Sequence, residues 1–78
     1  MYKKPLSAVD PRMLELSTLL RELRINNGFT QSQVANEIKL SRNSISKIEN
    51  KGFFRIQHLF TLADFYEIPI SELFLDIR

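Results

Sequence analysis

Apolar residues recur every three or four positions along almost the whole chain, which is helical spacing. Met13, Leu16, Leu20 and Leu23 form a first stripe, and Val34, Ala35 and Ile38 a second. Ile45 and Ile48 form a third, and Ile56, Leu59, Leu62, Ala63 and Tyr66 a fourth. Leu73, Phe74 and Ile77 close the series. No run alternates with period two, and no Asn-Gly or Asp-Gly dipeptide marks a hairpin, so strands are not expected.

Punctuation between the stripes sets the boundaries. Asp10 followed by Pro11 reads as an N-cap and a first helical residue, because proline lacks the amide proton that position cannot use. Helix 1 then runs to about Asn27, where Gly28 supplies a left-handed stop. Thr30-Gln31-Ser32-Gln33 fits a capping box and starts helix 2, about 31–38. Ala35 lets another helix come close, Lys39-Leu40 makes a tight turn, and Leu40 plugs the gap between helices 2 and 3. Ser41 caps helix 3, about 42–50, which Asn50 and Gly52 end. Phe53 and Phe54 lie in a short connection; as neighbours they cannot both face inward. Helix 4 spans about 56–66, Pro69 interrupts, and a last short helix starts near Ile70 or Ser71. The expected architecture is all-α, a compact five-helix bundle over residues 11–78 behind a flexible N-terminal arm, residues 1–10, in which Pro5 breaks regular structure.

Helix 3 carries the functional signal. Arg42, Asn43, Ser46 and Lys47 fall opposite Ile45 and Ile48, and no apolar residue competes for that surface. Two short helices joined by a tight turn, the second polar outside, suit a probe for the DNA major groove. Charge agrees. The net is only +2, but residues 1–51 hold nine Lys/Arg and five Asp/Glu (+4), and residues 52–78 hold two and four (−2). Lys39, Arg42, Lys47 and Lys51 cluster against Glu49 alone, the local excess expected of a polyanion binder.

Other classes find little support. The 78 residues make one small domain that buries about 60% of its unfolded surface, so dimerisation would help it. There is no cysteine, and His58 alone builds no zinc site, so no metal or cofactor is expected. No apolar run approaches the roughly 20 residues that span a bilayer, and residues 1–9, MYKKPLSAV, are not a signal core, so a cytoplasmic protein is expected. Without a phosphate loop or a nucleophile with a base, an enzyme is not expected.

Leu23-Arg24, Gly28-Phe29-Thr30-Gln31, Val34-Ala35, Ile38, Leu40-Ser41, Ile45-Ser46-Lys47-Ile48-Glu49-Asn50 and Ile68-x-x-x-Glu72-Leu73-Phe74 together resemble the phage-repressor/Cro-like, or XRE-type, helix-turn-helix domain over about residues 13–75. The resemblance implies a lambda-repressor-like fold with its helix-turn-helix at helices 2 and 3. It implies that Gln31 bonds a DNA phosphate and braces the probe helix, and that Arg42, Asn43 and Lys47 reach base edges. Arg pairs bidentately with guanine and Asn with adenine. Ser41, Ser44, Ser46, Asn50 and Lys51 would hold the backbone. Arg24 and Glu49 resemble a buried ion pair. Lys39 stands where the family turn carries Gly, and the connection after Glu49 is one residue shorter than usual and lacks its proline, which bears on Lys51 and Arg55.

The function implied is a sequence-specific double-stranded DNA-binding transcriptional regulator. Two copies on a palindromic operator would place their probe helices about 34 Å apart. Ile70, Leu73, Phe74 and Ile77 are the expected dimer surface, since the C-terminal segment holds more apolar residues than one short helix buries. The alternative is an antitoxin, or another protein-partner-binding module on the same fold, with the arm ordering on its partner.

Overall fold

A computed structural model describes residues 10–52 and 54–75; the expectations for the arm before Asp10, for Phe53 and for Ile77 fall outside them. Four α-helices follow in order: α1, Pro11–Asn26; α2, Gln31–Ile38; α3, Arg42–Lys51; α4, Ile56–Phe65. The fifth expected helix is a short 3₁₀ helix, Ile70–Phe74. Leu73 is its buried residue and plugs the core. The described residues are otherwise turns, and none is a strand.

Each start has a local cause. The Asp10 carboxylate accepts the Arg12 amide at 2.9 Å, with Pro11 at the first helical position. Thr30 and Gln33 exchange bonds, Gln33 N–H to Thr30 Oγ1 at 3.1 Å and Thr30 N–H to Gln33 Oε1 at 2.8 Å. Ser41 Oγ accepts the Ser44 amide at 3.0 Å. The start of α4 has no Ser, Thr or Asp; there His58 Nδ1 accepts the Arg55 amide at 3.4 Å.

The stops share one device, a residue in the left-handed region. After α1, Gly28 (φ 77°) turns the chain, and Phe29 N–H reaches the Arg24 carbonyl at 3.1 Å. Gly52 (φ 68°) ends α3. The other two stops are not glycine. Lys39 (φ 61°) makes the α2–α3 turn, letting Leu40 N–H reach the Ala35 carbonyl at 2.9 Å. Glu67 (φ 58°) ends α4, with Ile68 N–H on the Ala63 carbonyl at 3.0 Å. The left-handed conformation costs a residue with a Cβ about 1–2 kcal/mol.

The core joins all five elements. Leu16 and Leu20 of α1, Val34 and Ala35 of α2, Ile45 and Ile48 of α3, and Leu59, Leu62, Ala63 and Tyr66 of the α4 region bury against one another and Leu73. Met13 is only partly buried, and Leu23, Leu40 and Phe54 pack at the margin. Phe29 and Phe65 pack at a tilt, ring centroids 5.1 Å apart. Ser17 is also buried, and its Oγ has no hydrogen-bond partner among the described residues. Among the described residues no helix is long and apolar enough to cross a membrane.

Replacing Lys39 by Gly relieves the turn while adding unfolded-state entropy, two effects of opposite sign. The larger strain term wins, so Lys39→Gly is expected to raise stability by about 0.5 kcal/mol, or roughly 2–4 °C in Tm for a domain this size. A thermal melt checks this, and a lower Tm would mean that the lysine side chain holds the turn by contacts of its own.

Candidate nucleic-acid interface

With 100° between successive helical residues, α3 divides lengthwise. Ile45, Ile48 and Glu49 form its buried side. Arg42, Asn43, Lys47 and Asn50 are exposed on the other, with Ser46 partly buried between them and Lys51 exposed at the flank. That outward strip therefore consists of donors and acceptors with no apolar member.

A buried charge orients the strip. The Glu49 carboxylate, 3% exposed, faces inward from the last turn of α3. Arg24 Nε–H is shared between its two oxygens at 3.0 and 2.9 Å. The same guanidinium donates through Nη1 to the Phe29 carbonyl at 2.8 Å. Gln31 Nε2, at the first residue of α2, donates to Glu49 Oε1 at 3.2 Å. One carboxylate thus ties α1, the Gly28–Phe29 turn and α2 to α3. The geometry gives Gln31 a bond to α3 and leaves its second amide proton available, since an NH₂ group has two.

The serines are organised too. Ser41 Oγ and Ser44 Oγ lie 2.9 Å apart, and Ser41 Oγ also accepts the Ser44 amide. One hydroxyl proton is consumed between the two oxygens, so one of the pair keeps its proton for an outside acceptor. Asn50 Nδ2 donates to Ser46 Oγ at 3.2 Å, one helical turn back, which fixes the amide plane of Asn50.

Sequence reading put Arg55 and His58 on a separate element from Lys47. The fold gathers all three, with Met13, Gly52 and Phe54, around a shallow depression beside the α3 strip. Only tertiary contact makes this group, so spacing along the chain gives no signal for it. At the other end, Leu73 has no exposed surface, which removes it from any dimer interface: its side chain completes its own core. Phe74 remains 42% exposed and Ile70 partly buried, and Leu75, another of the apolar residues of the C-terminal segment, is 75% exposed.

Tyr66 lies under the ion pair. Its phenol is buried without a hydrogen-bond partner among the described residues, and its pKa is pushed up to about 12, chiefly by burial and further by the nearby Glu49 charge, with Arg24 opposing.

The sequence profile of the family described as "Helix-turn-helix domain" matches residues 18–76. This chain belongs to that helix-turn-helix family. The HTH-type transcriptional activator BcrR of Enterococcus faecalis is 34% identical over 61 residues, which are 77% of this chain and 30% of that protein. The chain therefore spans under a third of the length of this curated relative. Among solved structures, the restriction–modification controller protein C.AhdI of Aeromonas hydrophila superposes with a TM-score of 0.74 at 27% identity, over 83% of this chain and all of that one. A tyrosine-to-phenylalanine variant of C.Esp1396I, bound to its highest-affinity operator site, gives 0.74 at 24% identity, over 85% of this chain and 88% of that one. The helix-turn-helix here, α2 and α3 joined at Lys39, is the Cro-like arrangement that the sequence motifs resemble.

Two outcomes follow from the ion pair and the tyrosine. Arg24→Ala leaves the Glu49 charge buried and unpaired, at a cost of about 3–5 kcal/mol, whereas Arg24→Met with Glu49→Leu recovers most of that loss; denaturant melts of the two variants and the parent protein measure it. Because the folded protein binds the Tyr66 proton more tightly than the unfolded chain, stability falls as pH rises from about 10 to about 12. Tyr66→Phe is expected to flatten that part of a stability–pH curve, and an unchanged slope would assign it to other groups.

Proposed function

We propose that this chain is a sequence-specific double-stranded DNA-binding transcriptional regulator that acts as a homodimer on a palindromic operator. The observation that carries the reading is the outward strip of α3, wholly polar and held outward by a buried carboxylate bonded to both preceding helices. In this reading Arg42 and Asn43, exposed in the first turn of α3, read base edges with Lys47. Gln31, Ser41, Ser44, Ser46, Asn50 and Lys51 hold phosphates and fix register. The operator-bound C.Esp1396I complex and the transcriptional activator BcrR support DNA as the partner.

A single helix-turn-helix reads few base pairs, and two copies about one DNA turn apart double the reading. The apolar surface that would join them is the C-terminal one, in which Phe74 and Ile70 keep their roles, Leu75 replaces the buried Leu73, and Ile77 lies outside the described residues. The sign of regulation follows from where the operator lies relative to the promoter.

Selection of binding sites from a random duplex library, at two salt concentrations, tests this directly. The expected result is a palindrome with half-sites about one turn apart, with log K falling against log salt by about 0.9 for each phosphate neutralised. Arg42→Ala is expected to cost about 1–3 kcal/mol on the selected site and to relax one position of each half-site. No enriched sequence would overturn DNA reading and move the weight to a partner-binding module.

A further inference from the structure

The depression beside the α3 strip gathers polar side chains of one kind. Lys47 comes to it from α3, and Arg55 and His58 from the start of α4. No Asp or Glu lines it. Lys47 and Arg55 are exposed, and neither has an ion-pair partner among the described residues. The first turn of α4 holds no acidic residue either, so nothing local offsets the positive end of that helix.

His58 decides the character of the group. It is the only histidine of the chain and is partly buried, and its Nδ1 accepts the Arg55 amide at 3.4 Å. A neutral imidazole carries its one proton on the nitrogen that does not accept. That proton is therefore on Nε2, and the ring that starts α4 also presents a donor at its far edge. A glutamate at this third helical position would serve the helix start as well and would repel an anion.

Cations gathered without a counter-charge repel one another. The occupant that relieves this is an anion with several acceptor oxygens, and a phosphate group offers one to each of the three donors. The depression adjoins the outward strip, so a duplex lying on α3 would carry its backbone past it.

We infer that this depression is a phosphate-binding site, in which Lys47 and Arg55 supply charge and His58 Nε2–H supplies a directed hydrogen bond. Two sources carry this chemistry: a backbone phosphate of bound DNA, and a free phosphate ion or ester. With the first source the inference rests on the DNA-binding reading above and adds Arg55 and His58 to the footprint. With the second it stands without that reading, and a free anion held at Lys47 competes with DNA for that side chain.

The test uses the full chain and inorganic phosphate, titrated without DNA against chloride at matched ionic strength. Nuclear magnetic resonance follows the Gly52 and Arg55 amides and, in the parent, the single imidazole. The variants are Lys47→Ala, His58→Gln and His58→Glu. Gln and Glu both cap from the third helical position, so both keep the start of α4, but only Glu brings a negative charge. The expected result is a saturable shift with phosphate and none with chloride. Affinity is expected to fall about tenfold in Lys47→Ala, to stay within about threefold of the parent in His58→Gln and to vanish in His58→Glu. In a second arm, each backbone phosphate of the selected duplex is replaced in turn by a neutral methylphosphonate. One position in each half-site is expected to cost the parent about tenfold and His58→Glu under twofold, since that variant has already lost the contact. Saturation by phosphate without the methylphosphonate effect makes the source a free anion, and the reverse makes it the DNA backbone. Neither effect, or phosphate saturation equal in His58→Gln and His58→Glu, would overturn the site. Failure to select any duplex would sink the DNA reading alone, and the phosphate titration would still decide this one.

Discussion

The arrangement of the first three helices depends on one buried charge. Glu49 sits on the inner side of α3, almost wholly enclosed, where an unpaired carboxylate is costly. Arg24 and Gln31 satisfy it from α1 and α2, and the same arginine closes the Gly28–Phe29 turn. Apolar replacements of similar volume often match such a pair in net free energy. What they do not supply is direction. Leucines tolerate small rotations of a helix against its neighbours, whereas a carboxylate held within 3.2 Å by two different helices does not. Rotation of α3 about its axis is therefore restricted more tightly than the apolar core alone would restrict it.

Much of this was legible in the residues, for identifiable reasons. The four α-helices announce themselves because each has an apolar stripe and three have a polar cap that needs no tertiary context. The polar outer strip of α3 is visible for the same reason. Arg24 and Glu49 carry no local signal, being 25 positions apart, and only the motif resemblance linked them. Ser17 went unrecognised because helical spacing places it in the core arc beside Leu16 and Leu20, yet its hydroxyl gives no hydropathy signal. Glu67 was invisible as a stop because nothing but glycine advertises the left-handed region. The last short helix was legible from Pro69 and the apolar residues behind it, but its 3₁₀ type was not, since so short a stretch does not show the repeat.

The comparisons place these particulars within a shared scaffold. C.AhdI keeps only 27% of the residues yet superposes over its whole length. Such tolerance follows from what the fold requires: apolar side chains at helical spacing, caps at the starts, a left-handed residue at the stops. Each requirement names a class of residue rather than one residue. Lys39 is an instance. The turn needs its backbone angles, and the chain supplies them without glycine at a modest energetic disadvantage.

The lengthwise division of α3 has a consequence for how such a protein changes over time. The residues that keep the helix seated, Ile45, Ile48 and Glu49, share no position with those on its outer strip. Substitutions at 42, 43, 47 and 50 therefore alter the outer face while the seat stays intact. The two sets of positions are free to drift under separate selection. A lineage built on this chain can acquire a new recognition surface in single steps, each passing through a folded intermediate.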